Sequence, residues 1–325
     1  MNPNLCPLCG NNNQCANLAA SSPPNPTSSA EEPPHCWCMD EEIPRAALDD
    51  IPDALKGEAC ICQSCARRYQ SRSSGVQTID PRAQKSNTLR LGILNADDVR
   101  EELSPEFGEY PDMFARLFQP AAKSSKLNLE LTSWNVHRGE YPDDLDCVDA
   151  FLITGSKFSV YDDEPWIRSL GQFVQRLHSA RKKLIGICFG HQLVAHQLGG
   201  RTEKSDRGWA IGCHLAKVYE SFASAQKGQT FELLSSHQDQ VVVPPAGARV
   251  VAGTEFCPIS MMQMDDHILT IQSHPEFSLP YARKLYALRE ASFPAETYAK
   301  AQASLDTSPD QQKVAVWLLE FASAS

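Results

Sequence analysis

The pattern of apolar and polar positions divides the chain near residue 88. Residues 1–70 show almost no hydrophobic periodicity, and the stretch from Ala19 to Pro34 is rich in Ser, Pro and Ala. Such a composition predicts a loop or linker rather than a packed element. Residues 71–88, SRSSGVQTIDPRAQKSNT, are polar and patternless, and read as an interdomain linker. From Leu89 onward the pattern becomes regular. Leu89–Asn95 is a candidate buried strand, Pro111–Phe118 a helix, and Leu127–Val136 an alternating strand. Ala150–Thr154 is a short apolar run that ends in Gly155-Ser156. Trp166–Ala180 has helical spacing through Ile167, Leu170, Phe173, Val174 and Leu177. Lys183–Ile187 is a strand that runs into Cys188, and Leu193–Leu198 marks the apolar face of the helix that follows.

Strands alternating with helices over this length predict an α/β fold with a doubly wound, mostly parallel sheet. Past residue 210 the pattern turns strand-rich. Val241–Val243, Arg249–Ala252, Ser260–Met264 and Ile268–Gln272 read as strands, with Asp265-Asp266 as a turn between the last two. Leu279–Ala291 and Gln311–Ala322 read as helices. The predicted organisation is a cysteine-rich module over 1–70, a linker over 71–88, an α/β domain over 89–291 and a helical extension over 292–325.

Charge narrows the class of partner. The 325 residues hold 30 Lys/Arg and 40 Asp/Glu, a formal net charge of -10. Neither half is basic, so neither advertises binding to a nucleic-acid backbone. No apolar run approaches the ~18 residues that span a bilayer, and Met1–Gly10 has no basic n-region or apolar h-region. A cytoplasmic protein is the expectation.

The segment Gly186-Ile187-Cys188-Phe189-Gly190 has the form G-x-C-x-G. A strand followed at once by a helix needs a sharp turn, and small residues on both sides of the central side chain allow it. Cys188 would then sit over a helix amino terminus, which favours the thiolate. The backbone N–H of Phe189 would point to where an oxyanion forms. Taken alone, the motif also fits a buried cysteine between two packing glycines. A nucleophilic thiol needs a base, and the base needs an orienting group. The strand Ile268–Gln272 leads into Ser273-His274-Pro275-Glu276-Phe277. In extended backbone residues i and i+2 point the same way, so His274 and Glu276 can face one site.

GICFGHQ and SHPEF, in this order, resemble the signature motifs of class I glutamine amidotransferases. FLITGS (Phe151–Ser156), DDEPW (Asp162–Trp166), RGWAIG (Arg207–Gly212) and SSHQD (Ser235–Asp239) fit the same family. The resemblance covers about residues 89–290 and is closest to the stand-alone branch that includes gamma-glutamyl peptidases and GMP-synthase-like amidotransferase proteins. It implies a Cys188–His274–Glu276 triad and an oxyanion hole from Gly155 and Phe189. It also implies substrate contacts from Ser156 and Gln192 and from the Ser236–His237 segment. Lys157 and Gln238 depart from common forms near the expected pocket. The implied reaction is thiol-dependent cleavage of a gamma-glutamyl amide, in glutamine or a gamma-glutamyl peptide, through a gamma-glutamyl thioester, with no catalytic cofactor. The first 88 residues are too few for an ATP-using synthetase domain, and no P-loop pattern occurs. The chain is therefore expected to be a free-standing hydrolase. Delivery of ammonia to a separate synthase partner is the second reading, and a silent scaffold or regulator the third.

Twelve cysteines are present and eight precede residue 66: Cys6, Cys9, Cys15, Cys36, Cys38, Cys60, Cys62 and Cys65. C-x-x-C spacing lets two thiolates face one tetrahedral ion, and C-x-C in extended chain places both sulfurs on one side. Eight thiols suit two four-cysteine Zn2+ sites, with His35 a further candidate; the pairing is open. One zinc with spare thiols, a redox-active set and disulfides are the alternatives. Residues 5–69 resemble the small cysteine-rich CWC family, named for the Cys-Trp-Cys found here at Cys36–Cys38. So small a segment has little core, and a structural zinc would supply its folding energy. Cys147, Cys213 and Cys257 lack partners at ligand spacing and are expected in the core, His191 is expected to be structural, and His196 is expected at the surface.

Overall fold

A computed structural model of the protein describes residues 5–8, 13, 38, 43–52, 55–56, 60–66, 69 and 87–324. The chain divides into two compact units, Met1–Gln84 and Lys85–Ser325. The low-complexity stretch 19–34 and nearly all of the linker 71–88 lie outside the described residues, as do His35, Cys9, Cys15 and Cys36. In the first unit a short helix, Arg45–Asp49, buries Ala47. A small apolar cluster joins Ala47, Ile51, Ile61 and Ala66 to Cys6, Cys62 and Cys65.

The strands of the second unit are β1 (Thr88–Asn95), β2 (Asn128–Asn135), β3 (Ala150–Ile153), β4 (Lys183–Ile187), β5 (Arg201–Lys204), β6 (Ala210–Val218), β7 (Thr230–His237), β8 (Asp239–Val243), β9 (Ala248–Thr254), β10 (Met261–Met264) and β11 (Ile268–Ile271). The longer helices are α1 (Tyr110–Ser124), α2 (Pro165–Ser179), α3 (Phe189–Gln197), α4 (Leu279–Leu288), α5 (Ala295–Ser304) and α6 (Gln311–Ser323). Nine strands form one sheet in the order β2-β1-β3-β4-β11-β10-β9-β6-β7, and β5 pairs with β8 apart from it. From β2 to β11 every pairing is parallel; beyond β11 every pairing is antiparallel. β3 is buried at every position, as a parallel strand covered on both faces requires.

Alternation along β1 and β3 explains the two layers. Leu89, Leu91, Ile93 and Leu152 face one side, where Phe114 and Phe118 of α1 and Leu318 and Phe321 of α6 close over them. Leu94, Phe151 and Ile153 face the other, against Ile167, Leu170, Phe173 and Val174 of α2. Helices on both faces make the sheet doubly wound. The helical extension therefore contributes to the main core through α6.

Three features differ from the sequence reading. The helix expected over Pro111–Phe118 continues through Pro120 to Ser124. Proline forfeits one backbone donor, but Pro120 is exposed while Ala121 and Ala122 pack inward. Cys147 is exposed rather than in the core, because the acidic run before it forms a surface 3-10 turn in which Asp144 accepts from the Asp146 N–H at 2.9 Å. His196 is half-buried rather than at the surface. Among the described residues no helix is long and apolar enough to cross a membrane.

Candidate active site

The parallel strands all deliver their carboxyl ends to one edge, the usual ligand crevice of an open α/β sheet. β4 ends at Cys188, β3 at the Thr154–Gly155 loop, and β11 at the segment carrying His274. Cys188 caps α3 with φ 50 and ψ -98, a left-handed backbone uncommon for a side-chain-bearing residue. The turn is held by backbone bonds from Cys188 N–H to the Ile271 carbonyl (2.8 Å) and from Gln192 N–H to the Cys188 carbonyl (3.0 Å). Its glycines are there for space. A Cβ on Gly186 would lie 2.7 Å from the Gly190 carbonyl, and one on Gly190 would lie 2.6 Å from the Ile153 carbonyl oxygen.

His274 and Glu276 meet across a turn at Pro275-Glu276 rather than along an extended strand: Nδ1 lies 2.7 Å from Oε1. The His274 N–H donates to the Leu234 carbonyl at 2.8 Å, tying the segment to β7. Its ring stacks on Phe277 with centroids 3.9 Å apart and an interplanar angle of 7°. Burial lowers the imidazole's proton affinity, but the charge of Cys188, the charge of Glu276 and hydrogen bonds to both outweigh it, and the net shift is upward. The shift favours a proton on the imidazole beside Cys188. Gly155 borders both: a Cβ there would lie 2.8 Å from the His274 Cε1 and 3.6 Å from the Cys188 Cβ. The Thr154 hydroxyl accepts from the Ala96 N–H (2.9 Å) and donates to the Gly155 carbonyl (3.1 Å), which fixes this loop.

Gln192 is turned inward. Its side-chain amide donates to the Asp239 carbonyl at 2.7 Å and to Gln272 Oε1 at 3.1 Å. Gln272 in turn donates to the Cys188 sulfur at 3.5 Å. The sequence reading assigned Gln272 nothing, although it lies two residues before His274, in the bend that follows β11. Ser236 and Ser156 line an open cavity of ≈ 880 Å³ together with His274, Lys157, Tyr281 and Arg289. The His237 ring is buried instead, with Nδ1 donating to the Asp239 carbonyl at 3.0 Å, and burial pushes its pKa down to about 3. His191 is likewise neutral, pushed down to about 3 by burial and held between the Thr270 hydroxyl (2.7 Å) and the Ile259 carbonyl (3.1 Å). The Lys157 ammonium pairs with Asp97 at 2.8 Å.

In the first unit the ligand atoms of Cys6, Cys62 and Cys65 all lie within 4.8 Å of one another, and all three residues are buried. Three converging thiols suit a tetrahedral thiophilic ion such as zinc. Cys62 thus groups with Cys65 by its C-x-x-C spacing and with the distant Cys6. The exposed Cys60, its C-x-C neighbour, and Cys38 stand outside that set.

Comparison with known proteins adds to this geometry. The model of the family "Glutamine amidotransferase class-I" matches residues 121–288, and that of "Cysteine-rich CWC" matches residues 6–67. A protein of Schizosaccharomyces pombe named as glutamine amidotransferase-like is 29% identical over 241 residues, covering 71% of this chain and 97% of its own. Gamma-glutamyl peptidase 3 of Arabidopsis thaliana is 31% identical over 201 residues, covering 58% of this chain and 77% of its own. The crystal structure of a glutamine amidotransferase from Thermotoga maritima aligns with a TM-score of 0.55 at 15% identity, over 72% of this chain and 96% of that one. That last likeness is one of fold. The fold and the edge-mounted cysteine define an α/β enzyme of the doubly wound class. The chain belongs to the class-I glutamine amidotransferase family, with a CWC-type cysteine-rich region ahead of it.

Proposed function

We propose that this enzyme is a self-sufficient hydrolase of gamma-glutamyl amide bonds, with Cys188 as nucleophile, His274 as acid–base and Glu276 as the group that orients it. The observation that carries the reading is the run of contacts from Glu276 to His274 to Cys188 at a strained strand–helix turn. At the family level the reaction is hydrolysis of the glutamine amide. The peptide preference is supported by the likeness to a gamma-glutamyl peptidase and by an open cavity of ≈ 880 Å³ that borders His274.

The Cys188 thiolate attacks the gamma-carbonyl carbon, and the carbonyl oxygen takes the displaced electron pair. The N–H groups of Phe189 and Gly155 stabilise that oxyanion; losing one such donor typically costs about 100–1,000-fold in rate. The carbonyl re-forms as His274 passes its proton to the departing amine, leaving a gamma-glutamyl thioester on Cys188. His274 then takes a proton from water, the hydroxide adds to the thioester, and glutamate leaves with the thiolate restored. Gln192 acts indirectly, by holding Gln272 toward the sulfur. Ser156 and Ser236 contact substrate in the cavity, and the backbone of Ser236–His237 cradles its glutamyl end. In the first unit, Cys6, Cys62 and Cys65 would hold a thiophilic ion such as zinc, which would supply structural stability to the module.

A diazoketone analogue of glutamine tests the nucleophile. It should alkylate Cys188 alone among the twelve cysteines, with loss of activity in proportion to labelling. Inactivation with the label on another thiol would overturn the assignment.

A further inference from the structure

The cavity beside the triad is lined by Asp97, Asp98, Glu101 and Glu102 as well as by three cations, Arg100, Lys157 and Arg289, and two of the three cations are already paired. Lys157 is paired with Asp97 at 2.8 Å, and Arg100 lies 3.6 Å from Glu102. Asp98, also on the wall, is held by Arg138 at 2.7 Å. Arg289 differs. Among the described residues it has no carboxylate partner. Its Nη1 donates to the Ser236 hydroxyl at 3.2 Å. Its guanidinium lies 4.6 Å from the Trp209 ring centroid and 5.4 Å from that of Phe293. The two rings hold the planar fork in place, and a fixed fork loses less freedom on binding a carboxylate. Burial and the charge of Arg100 both disfavour its cationic form, so an anion arriving there would relieve a standing cost.

Position says which half of a substrate would reach it. The cavity wall includes His274 and not the sulfur of Cys188. The departing amine must lie beside this imidazole to take its proton, so the leaving half of a substrate borders the cavity. Resting on the proposed hydrolase reading, we propose that Arg289 recognises a carboxylate on the leaving half of the substrate, making the preferred substrate class gamma-glutamyl peptides with a free terminal carboxylate rather than glutamine. Ammonia, the leaving group of glutamine, offers nothing for this residue to bind.

The test compares a gamma-glutamyl dipeptide with its carboxyl-terminal amide, and with glutamine. Binding is measured by calorimetry on full-length Cys188→Ala protein, which cannot turn the ligands over, with and without Arg289→Met and Arg289→Lys. A charge-assisted hydrogen bond predicts that the preference for the free acid over the amide falls roughly 10- to 100-fold in Arg289→Met. Arg289→Lys should keep part of it. A purely structural role would weaken all three ligands alike and leave the preference unmoved, and that result overturns the proposal. So does equal loss because Arg289 holds the alpha-carboxylate that all three ligands share, and so does failure of the dipeptide to bind. Glutamate release by the wild type is scored separately: if the preference changes as expected while the wild type releases no glutamate, the recognition stands and the hydrolase reading falls.

Discussion

Nδ1 of His274 lies 2.7 Å from Oε1 of Glu276, and the Glu276 carboxylate is buried beside it. In the proposed mechanism this contact fixes the ring so that its other nitrogen serves Cys188. Glu276→Gln keeps the shape but loses the charge and can stabilise the wrong tautomer. Loss of kcat on the order of 10⁴ is expected, by analogy with amide replacement in serine-protease triads. Steady-state kinetics on folded variant protein checks it.

The upward shift of His274 has a pH signature. The folded value exceeds the unfolded one, so the imidazolium adds stability that is complete below the unfolded value near 6.5 and is lost as pH rises through the raised folded value. Stability should therefore fall on the alkaline side more steeply in the wild type than in Cys188→Ala. The alanine variant removes Cys188, whose charge is the largest of the raising causes, so its His274 should titrate lower. NMR titration of the imidazole in the two proteins reads the difference directly, and identical titration would show that Cys188 does not act on the ring.

Glycine substitutions separate space for the fold from space for the imidazole. Gly190→Ala sets a methyl 2.6 Å from the Ile153 carbonyl oxygen, where both partners are backbone and neither can yield. A loss of about 1–3 kcal/mol of stability is expected, read by denaturant unfolding. Gly155→Ala instead meets the His274 ring at 2.8 Å. It should cost activity out of proportion to stability, because the ring moves off the thiol before the sheet is disturbed.

Gln272 is the residue beside the thiol that no motif announced. Its amide reaches the Cys188 sulfur at 3.5 Å. Gln272→Met keeps the volume and removes the donor. Hydrogen bonds to charged groups contribute about 1.5–3 kcal/mol, so a roughly 10- to 100-fold loss in kcat/KM is expected, with a matching fall in the alkylation rate of Cys188. Unchanged alkylation would remove Gln272 from the site.

Much of the parallel half was legible because its strands are short apolar runs between helices of clear period. Lys183–Ile187 matches β4 residue for residue, and His274 and Glu276 do meet, though across a turn rather than along the expected extended backbone. The antiparallel half was less legible. β6 and β7 mix Lys217, Glu232 and Thr230 with buried positions, and residues 219–229 between them hide their pairing. α5 buries only Ala301, too little for a stripe to show. Side-chain direction was also out of reach: sequence cannot show that Gln192 spends its amide on Asp239 and Gln272, or that the His237 ring turns away from the cavity. Nor could spacing choose among the thiols; among the described residues, the grouping of Cys62 with Cys65 and the distant Cys6 follows the packing of a small cluster.

That grouping predicts the consequence of losing a ligand. Cys62→Ser should lower the zinc content of the purified protein and raise amide exchange across residues 43–66. Atomic emission and exchange mass spectrometry measure the two. Full zinc content in the variant would exclude Cys62 as a ligand.

The central claim is tested most directly by incubating purified wild-type and Cys188→Ala protein, with no other protein present, with glutamine and a panel of gamma-glutamyl peptides, and measuring the glutamate released. Glutamate from the peptides with wild type and none with the alanine variant is the predicted result. Equal release by both, or none by the wild type, would contradict it.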